Sequence, residues 1–186
     1  MLSGTGTTYQ YISKAIQNKL LDANICLVVS SKENAGGVKY AHENNHQVKI
    51  INPRETSHHE ELNLLFANEK PDLIVLAGYM HLWKLSPELE KKTINIHPSL
   101  IPAFSGKGMY GHHVHEAVIA AGVKYSGCTI HLVDSIYDHG QILEQSAVRV
   151  QSLDTADTLA ARIQLCEKAL LLDVISQWNN IKGTLR

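Results

Sequence analysis

The chain has 186 residues, of which 44% are hydrophobic and 19% charged, and its formal net charge is −1 at pH 7. The length and composition favour one globular domain, residues 1–186. The near-zero net charge produces no strong electrostatic field that would attract nucleic acid or an anionic membrane. No apolar run approaches the roughly 18 residues of a membrane helix, and no signal-peptide pattern opens the sequence. Cys26, Cys128 and Cys166 form no C-x-x-C pair, which favours reduced thiols. We therefore expect a soluble cytoplasmic protein.

The first two-thirds of the chain alternates short apolar runs with helical patterns. Four runs predict parallel strands that are buried on both faces: residues 25–29, 48–51, 73–76 and 93–96. Three intervening patterns predict the connecting helices: residues 9–18, 37–44 and 60–68. This order predicts a Rossmann-like, doubly wound α/β fold with a mostly parallel sheet.

The last third has a different pattern. A glycine-rich loop at residues 105–111 is either a mobile lid or a surface connection, and a helix is predicted over residues 112–121. Residues 127–133 and 141–150 are β-rich and predict two antiparallel strands at one edge of the sheet. A long amphipathic helix is predicted over residues 154–178.

A turn rich in glycine and threonine precedes the first helix. Its residues Gly6, Thr7 and Thr8 would let backbone N–H groups approach an anion at a helix N-terminus. The same turn could equally cap the helix without binding any ligand. A phosphate site is therefore one of two interpretations.

Three polar residues are candidates for chemistry. Asn95 and His97 stand two apart near a predicted strand end, so their side chains share one side and would face one pocket. Asp138 follows in a turn between the last two strands, where it could tune or orient His97. The alternatives are a structural Asn–His pair and a turn aspartate that accepts from its own backbone.

The eleven histidines raise the question of a metal. The densest group is His112, His113 and His115, and His58 with His59 forms a second pair. His112 and His115 are one helical turn apart, but no cysteine or carboxylate at ligand spacing completes a site. We therefore expect no metal, and we expect these residues to line the pocket or face solvent.

Several motifs occur together in order along the chain. They are Asn-Ile-His-Pro-Ser-Leu-Ile-Pro at 95–102, Gly-Cys-Thr-Ile-His-Leu-Val at 127–133, Asp-His-Gly at 138–140, Val-Leu-Ala-Gly-Tyr-Met at 75–80 and the N-terminal Ser-Gly-x-Gly loop. Over nearly the whole chain this pattern resembles the phosphoribosylglycinamide formyltransferase family. The resemblance implies transfer of a formyl group from 10-formyltetrahydrofolate, as co-substrate, to the amine of glycinamide ribonucleotide in purine (IMP) synthesis. It also implies a monomer or homodimer that acts on small molecules without a metal, nucleic acid or membrane.

The resemblance assigns roles to individual positions. The catalytic trio would be Asn95, His97 and Asp138. The substrate phosphate would be held by Gly6, Thr7 and Thr8, and the ribonucleotide would be contacted by Glu167. The folate pocket would be lined by Met80, His81, Leu82, Trp83 and Asn95, with backbone of residues 135–138.

The chemistry of formyl transfer explains why such residues would be needed together. Attack by an amine on the formyl carbon creates an oxyanion, to which the Asn95 amide could donate. A protonated His97 could stabilise the same charge and pass a proton to the departing folate nitrogen. Asp138 would favour the imidazolium by its charge and could orient a relay water.

Three features depart from the family pattern or are left open by it. Only Met1 and Leu2 precede Ser3, so most of the first strand is expected to be missing, which would expose backbone groups of both neighbouring strands. His81 stands where many relatives carry arginine. His131 fits the family pattern, but its role is open.

Two other functions remain as alternatives. Formyltetrahydrofolate deformylases share the Asn-x-His and Asp core, although they usually carry an additional N-terminal regulatory domain, and they release formate without an acceptor. Methionyl-tRNA formyltransferases also share this core, but they add a C-terminal RNA-binding domain that we do not expect here, so they are not a further alternative. The remaining possibility is a catalytically idle α/β protein that binds a nucleotide or folate.

Overall fold

A computed structural model of the protein describes residues 1–185. The chain forms two compact units, of which the first is Met1–Thr93 and the second begins at Ile94. Each unit has its own strands, helices and buried side chains.

The first unit alternates helices and short strands. Its elements are α1 (Thr7–Gln17), β1 (Val28–Ser30), α2 (Gly36–Glu43), β2 (Val48–Ile50), α3 (His58–Glu69), β3 (Ile74–Leu76) and α4 (Pro87–Glu90). Strands β1 and β2 are parallel, with Val28 opposite Val48. All three residues of β1 are buried, and the hydroxyl of its polar residue, Ser30, donates to the Lys32 carbonyl.

Residues 1–3 take part in the sheet hydrogen bonding of the first unit. The Leu2 N–H donates to the Val29 carbonyl at 2.9 Å, and Leu2 forms a parallel bridge with Ser30. On the other side, the Met1 ammonium donates to the Val75 carbonyl at 2.7 Å. The Met1 carbonyl also accepts from the Ala77 N–H at 2.8 Å. The expectation that both neighbours of a shortened first strand have exposed backbone groups is therefore wrong at these positions.

The second unit begins with an antiparallel arrangement of three strands. Its elements are β4 (Thr93–His97), α5 (His112–Ala121), β5 (Tyr125–Leu132), β6 (Ile142–Arg149), α6 (Ala156–Ser176) and α7 (Trp178–Lys182). Strand β5 pairs with both β4 and β6 in antiparallel register. The predicted antiparallel strands are therefore confirmed.

The long helix α6 covers this unit with one apolar face. Its buried residues recur at helical spacing on one face, with one adjacent pair: Leu159, Ile163, Leu170, Leu171 and Val174. Thr155 caps the helix by accepting from the Thr158 N–H, and the Thr158 side chain bonds back to the Thr155 N–H. The predicted helix over residues 154–178 is thus α6, followed after Gln177 by the short α7.

Parallel strands before antiparallel ones, with helices between them, confirm the predicted α/β fold class. None of the helices within residues 1–185 has the length and apolar character needed to cross a membrane.

Candidate active site

The strand β4 places Asn95 and His97 two residues apart, and β5 lies beside it. Asn95 is paired in register with His131, and His97 with Thr129. His97, Thr129 and His131 are buried, with relative exposures of 3%, 0% and 2%. The β4–β5 pair therefore brings two imidazoles and one carboxamide into a buried polar cluster.

Asp138 joins this cluster from the turn after β5. One carboxylate oxygen, Oδ2, lies 3.4 Å from His97 Nδ1, and Oδ1 lies 3.7 Å from His131 Nε2. Oδ2 also accepts from the Gly106 N–H at 2.8 Å. Asp138 therefore does not bond only within its own turn, because Gly106 is 32 positions away in sequence. The aspartate that accepts from its own turn is Asp134, which accepts from the Ile136 N–H.

The backbone around Asp138 is constrained. Asp138 has φ of 54°, the left-handed region that aspartate tolerates better than most residues. A Cβ at Gly140 would lie 1.9 Å from the Leu132 carbonyl oxygen, so this position accepts only glycine without a backbone shift. Together these features return the turn to the end of β5 and aim the Asp138 carboxylate at His97.

The imidazole of His97 faces oxygen atoms on both sides. Its Nε2 lies 2.8 Å from the Phe104 carbonyl, and its Nδ1 faces Asp138. The shorter contact places a proton on Nε2, which donates to Phe104 and leaves Nδ1 as the atom that can gain a proton. A proton gained at Nδ1 would then face a carboxylate.

Burial sets the resting charge of His97. Desolvation lowers the pKa of His97 below its usual value, although the Asp138 charge and the Phe104 carbonyl act in the opposite direction. The expectation that Asp138 favours imidazolium thus describes one of several opposing effects, and burial outweighs it. For Asp138 itself, burial would raise the pKa. The neighbouring imidazoles of His131 and His97 and the Gly106 N–H act in the opposite direction, and together they lower the pKa of Asp138.

His131 is the residue whose role the sequence left open. Its Nδ1 lies 2.8 Å from the Leu132 carbonyl, and its Nε2 lies 3.2 Å from Asn95 Nδ2. This pattern fits a proton on Nδ1, with Nε2 accepting from the Asn95 amide. A register irregularity between Ile130 and His131 interrupts the β5–β6 ladder here, as bulges beside active sites often do. Knowledge of the β4–β5 register would have identified this pairing.

Glu167 lies on α6 in the second unit and is half-buried. Desolvation raises the pKa of its carboxyl to about 7, against a smaller opposing influence from Lys168. Near pH 7 the carboxyl of Glu167 is therefore divided between its protonated and charged forms.

The predicted phosphate loop lies in the first unit, at the start of α1. Gly6 is the N-cap with φ of 71°, and no side chain caps the helix. A Cβ at Gly6 would lie 2.7 Å from Gly37 Cα, so both the left-handed backbone and the close approach require glycine. The first turn of α1, which includes Thr7 and Thr8, contains no acidic residue, which suits an anion.

The predicted folate segment, residues 80–83, divides by burial. Met80 is 59% exposed, whereas Trp83 is 1% exposed. His81 is largely exposed and Leu82 is partly buried. Partial desolvation of the His81 ring, together with nearby positive charges, lowers its pKa. The Trp83 ring packs against Phe66 and its N–H donates to Asn63 at 3.1 Å. The Trp83 side chain is a core residue, so this position can contribute only its backbone to a pocket.

The histidine-rich start of α5 is mostly exposed. His113 Nδ1 lies 3.2 Å from Glu116, and His112 lies 3.6 Å from Glu116 and 3.7 Å from Asp157. His115 is buried, and its Nδ1 has no hydrogen-bond partner. Within residues 1–185 no group of three or more histidine, cysteine or acidic side chains could hold a metal ion.

A buried imidazole–carboxylate pair beside a carboxamide, on an α/β fold, is typical of enzymes that move protons during group transfer. Residues 1–175 match the formyl transferase family, to which this chain belongs. The resemblance to phosphoribosylglycinamide formyltransferases is confirmed by named relatives.

One such relative is phosphoribosylglycinamide formyltransferase, chloroplastic, of Arabidopsis thaliana. It is 38% identical over 181 residues, which cover 94% of this chain and 62% of the relative. The crystal structure of phosphoribosylglycinamide formyltransferase from Bacillus halodurans has a TM-score of 0.83 and 32% identity. That match covers 95% of this chain and 92% of the other.

The curated plant relatives are longer than the region they share with this chain, which spans about three fifths of their length. A formyltetrahydrofolate deformylase from Pseudomonas syringae is also similar, with a TM-score of 0.79 over 98% of this chain and 60% of that one. At 22% identity, this likeness concerns the fold alone.

Proposed function

We propose that this chain transfers the formyl group of 10-formyltetrahydrofolate to the amine of glycinamide ribonucleotide, in the purine (IMP) pathway. The observation that carries the proposal is the buried contact of His97 with Asp138, beside Asn95. The names of the relatives support the choice of acceptor. In this proposal both partners are small molecules, and no metal, nucleic acid or membrane takes part.

The transfer requires one proton to move. The acceptor nitrogen bonds to the formyl carbon, the bond from that carbon to the folate nitrogen breaks, and the proton lost by the amine reaches the departing nitrogen. His97 begins neutral, because burial lowers its pKa, and it takes this proton at Nδ1. The imidazolium lies between the Asp138 carboxylate and the Phe104 carbonyl, which stabilise it. It then gives the proton to the departing folate nitrogen, which returns His97 to its neutral form.

The developing oxyanion needs a donor that is already in place. The Asn95 carboxamide has two N–H bonds, and its Nδ2 lies 3.2 Å from His131 Nε2. One N–H bond holds the amide in position, and the other is available to the oxyanion. Such a donor contributes roughly 10²- to 10³-fold to the rate in acyl transfer.

The substrate-binding roles are proposed from the resemblance and from local geometry. Gly6, Thr7 and Thr8 would bind the phosphate through the open N-terminus of α1. Glu167 would contact the ribonucleotide as a carboxylate. Met80, His81 and Leu82 would line the folate pocket through side chains or backbone, and Trp83 through its backbone, because its side chain is buried.

Two further properties belong to this proposal. A cytoplasmic location is supported by three free cysteines, which are typical of a reducing compartment. The monomeric or homodimeric state is carried over from the resemblance alone.

The test is conversion of a 10-formylfolate donor, followed by absorbance with and without glycinamide ribonucleotide. We expect turnover that depends on the acceptor. Formate release at the same rate without the acceptor would instead identify a deformylase, and binding of both substrates without turnover would identify an idle protein.

A further inference from the structure

Two of the three cysteines lie against each other in the second unit. Cys128 on β5 and Cys166 on α6 are separated by 38 positions in sequence, yet their sulfurs are 3.5 Å apart. Both are free thiols, and the Cys128 S–H donates to the Cys166 sulfur. The proposed transfer reaction uses neither of them.

The two thiols differ in access to solvent. Cys128 is completely buried, whereas Cys166 is partly exposed. Burial also raises the pKa of Cys128, and the hydrogen bond to Cys166 acts in the same direction. An oxidant in solution therefore reaches Cys166 first, and Cys128 is held beside it as a protonated thiol.

We propose that Cys128 and Cys166 form an oxidation site at which a peroxide converts the two thiols into an intramolecular disulfide. Sulfurs in a disulfide lie about 2.05 Å apart, so the pair needs to close by roughly 1.5 Å. This closure requires side-chain rotation together with a small shift of α6 against β5. No third cysteine is required.

The reaction balances in two steps. Hydrogen peroxide transfers one oxygen to the Cys166 sulfur, which gives a sulfenic acid and one water. The Cys128 thiol then gives its proton to the sulfenic acid oxygen as its sulfur attacks the Cys166 sulfur, and the S–O bond breaks to release a second water. Both sulfurs are oxidised by one electron each, and the peroxide is reduced.

The link would join two elements that carry proposed functional residues. Strand β5 carries His131, and Glu167 follows Cys166 on α6. A disulfide between them closes a long loop in the unfolded chain, so the oxidised protein should have a higher Tm than the reduced protein.

The test treats the full-length native protein with hydrogen peroxide, alkylates the remaining thiols and maps peptides by mass spectrometry without reduction. We expect a peptide pair that joins Cys128 to Cys166, lighter by two hydrogen atoms and separated by dithiothreitol. The Tm should rise on oxidation and return on reduction.

Two variants serve as controls. Cys26→Ser removes the exposed thiol of the first unit and should leave the link unchanged, whereas Cys166→Ser should abolish both the link and the rise in Tm. If Cys166 in the native protein is instead oxidised to sulfinic acid while Cys128 stays alkylatable after unfolding, the proposal is wrong. Recovery of Cys128 linked mainly to Cys26 would also overturn it.

Discussion

The second unit contains two clusters of histidines and carboxylates whose distances are nearly the same. In the buried cluster, His97 and His131 lie 3.4 and 3.7 Å from Asp138. In the exposed cluster, His113 and His112 lie 3.2 and 3.6 Å from Glu116. Distance alone therefore does not distinguish a candidate catalytic pair from a surface ion pair.

Burial is what separates the two clusters. The side chains of His97 and Asp138 are 4% and 10% exposed, against 64% and 55% for His113 and Glu116. Water screens the exposed pair, so its contribution to stability is small. In the buried cluster, charges interact through a low dielectric. Adding one proton to His97 therefore changes the electrostatic energy of the whole cluster.

Removal of the central imidazole should have the largest effect. His97→Ala should lower kcat by about 10²- to 10⁴-fold, because general acid–base catalysis contributes that much. The unfolding free energy should fall by only about 1–3 kcal/mol, as for loss of a buried polar side chain. Acceptor-dependent turnover and urea unfolding measure the two changes, and wild-type turnover would remove His97 from the mechanism.

A change of charge without a change of shape tests Asp138. Asp138→Asn should lower kcat on the order of 10²-fold, since the imidazolium loses its carboxylate. The Asp138 charge raises the pKa of His97, so its removal should lower that pKa further. The acid limb of the pH–kcat/KM profile should then move to lower pH. An unaltered profile with normal turnover would contradict this role.

His131 should matter through Asn95. His131→Leu removes the acceptor for the Asn95 amide and should lower kcat by roughly 10- to 100-fold with little change in KM, because misplaced groups lose catalytic geometry. His131→Gln retains an acceptor oxygen and should recover part of the rate. Equal rates in the two variants would mean that the hydrogen bond does not position Asn95.

Glu167 tests the effect of burial on a carboxylate. Burial raises the pKa of Glu167 to about 7, so folding opposes its ionisation and this group makes the protein less stable as pH rises toward that value. Glu167→Gln removes the penalty, so its unfolding free energy relative to wild type should increase between about pH 5 and pH 8. Urea unfolding of the variant and the wild type at several pH values checks this, and a stability difference that does not change with pH would contradict the assignment.

The exposed cluster should give the smallest effects. His113→Asn should change kcat by less than about twofold and the unfolding free energy by no more than about 0.5 kcal/mol, as for most surface pairs. The same assays apply. A large loss of turnover here would show that exposure does not separate the two clusters as described.

Much of the fold was predictable from local signals. Helix α5 runs from His112 to Ala121 as predicted, because Gly111 precedes it and Gly122, in the left-handed region, ends it. The apolar runs likewise identified the positions of the strands, but the prediction that β2 is buried on both faces was wrong, because Lys49 and Ile50 are exposed. The backbone pairing of residues 1–3 was not predictable, since it depends on carbonyl and N–H groups of distant strands and on no particular side chain.

The candidate site was predictable only in part. The spacing of Asn95 and His97 suggested a shared face, but the partnership with His131 depends on the register between β4 and β5. The resting charge of His97 depends on how deeply the fold buries it, which sequence spacing does not contain. The burial of the Trp83 side chain was also not predictable from the sequence, because it arises from tertiary packing against Phe66.

The most direct test of formyl transfer through the buried cluster follows the formyl carbon itself. Excess protein is mixed in a single turnover with a donor labelled in its formyl group and with glycinamide ribonucleotide, and the products are separated. We predict label in the acceptor for wild type and, within the same time, almost none for His97→Ala. Label recovered as formate, or equal transfer by both proteins, would contradict the account.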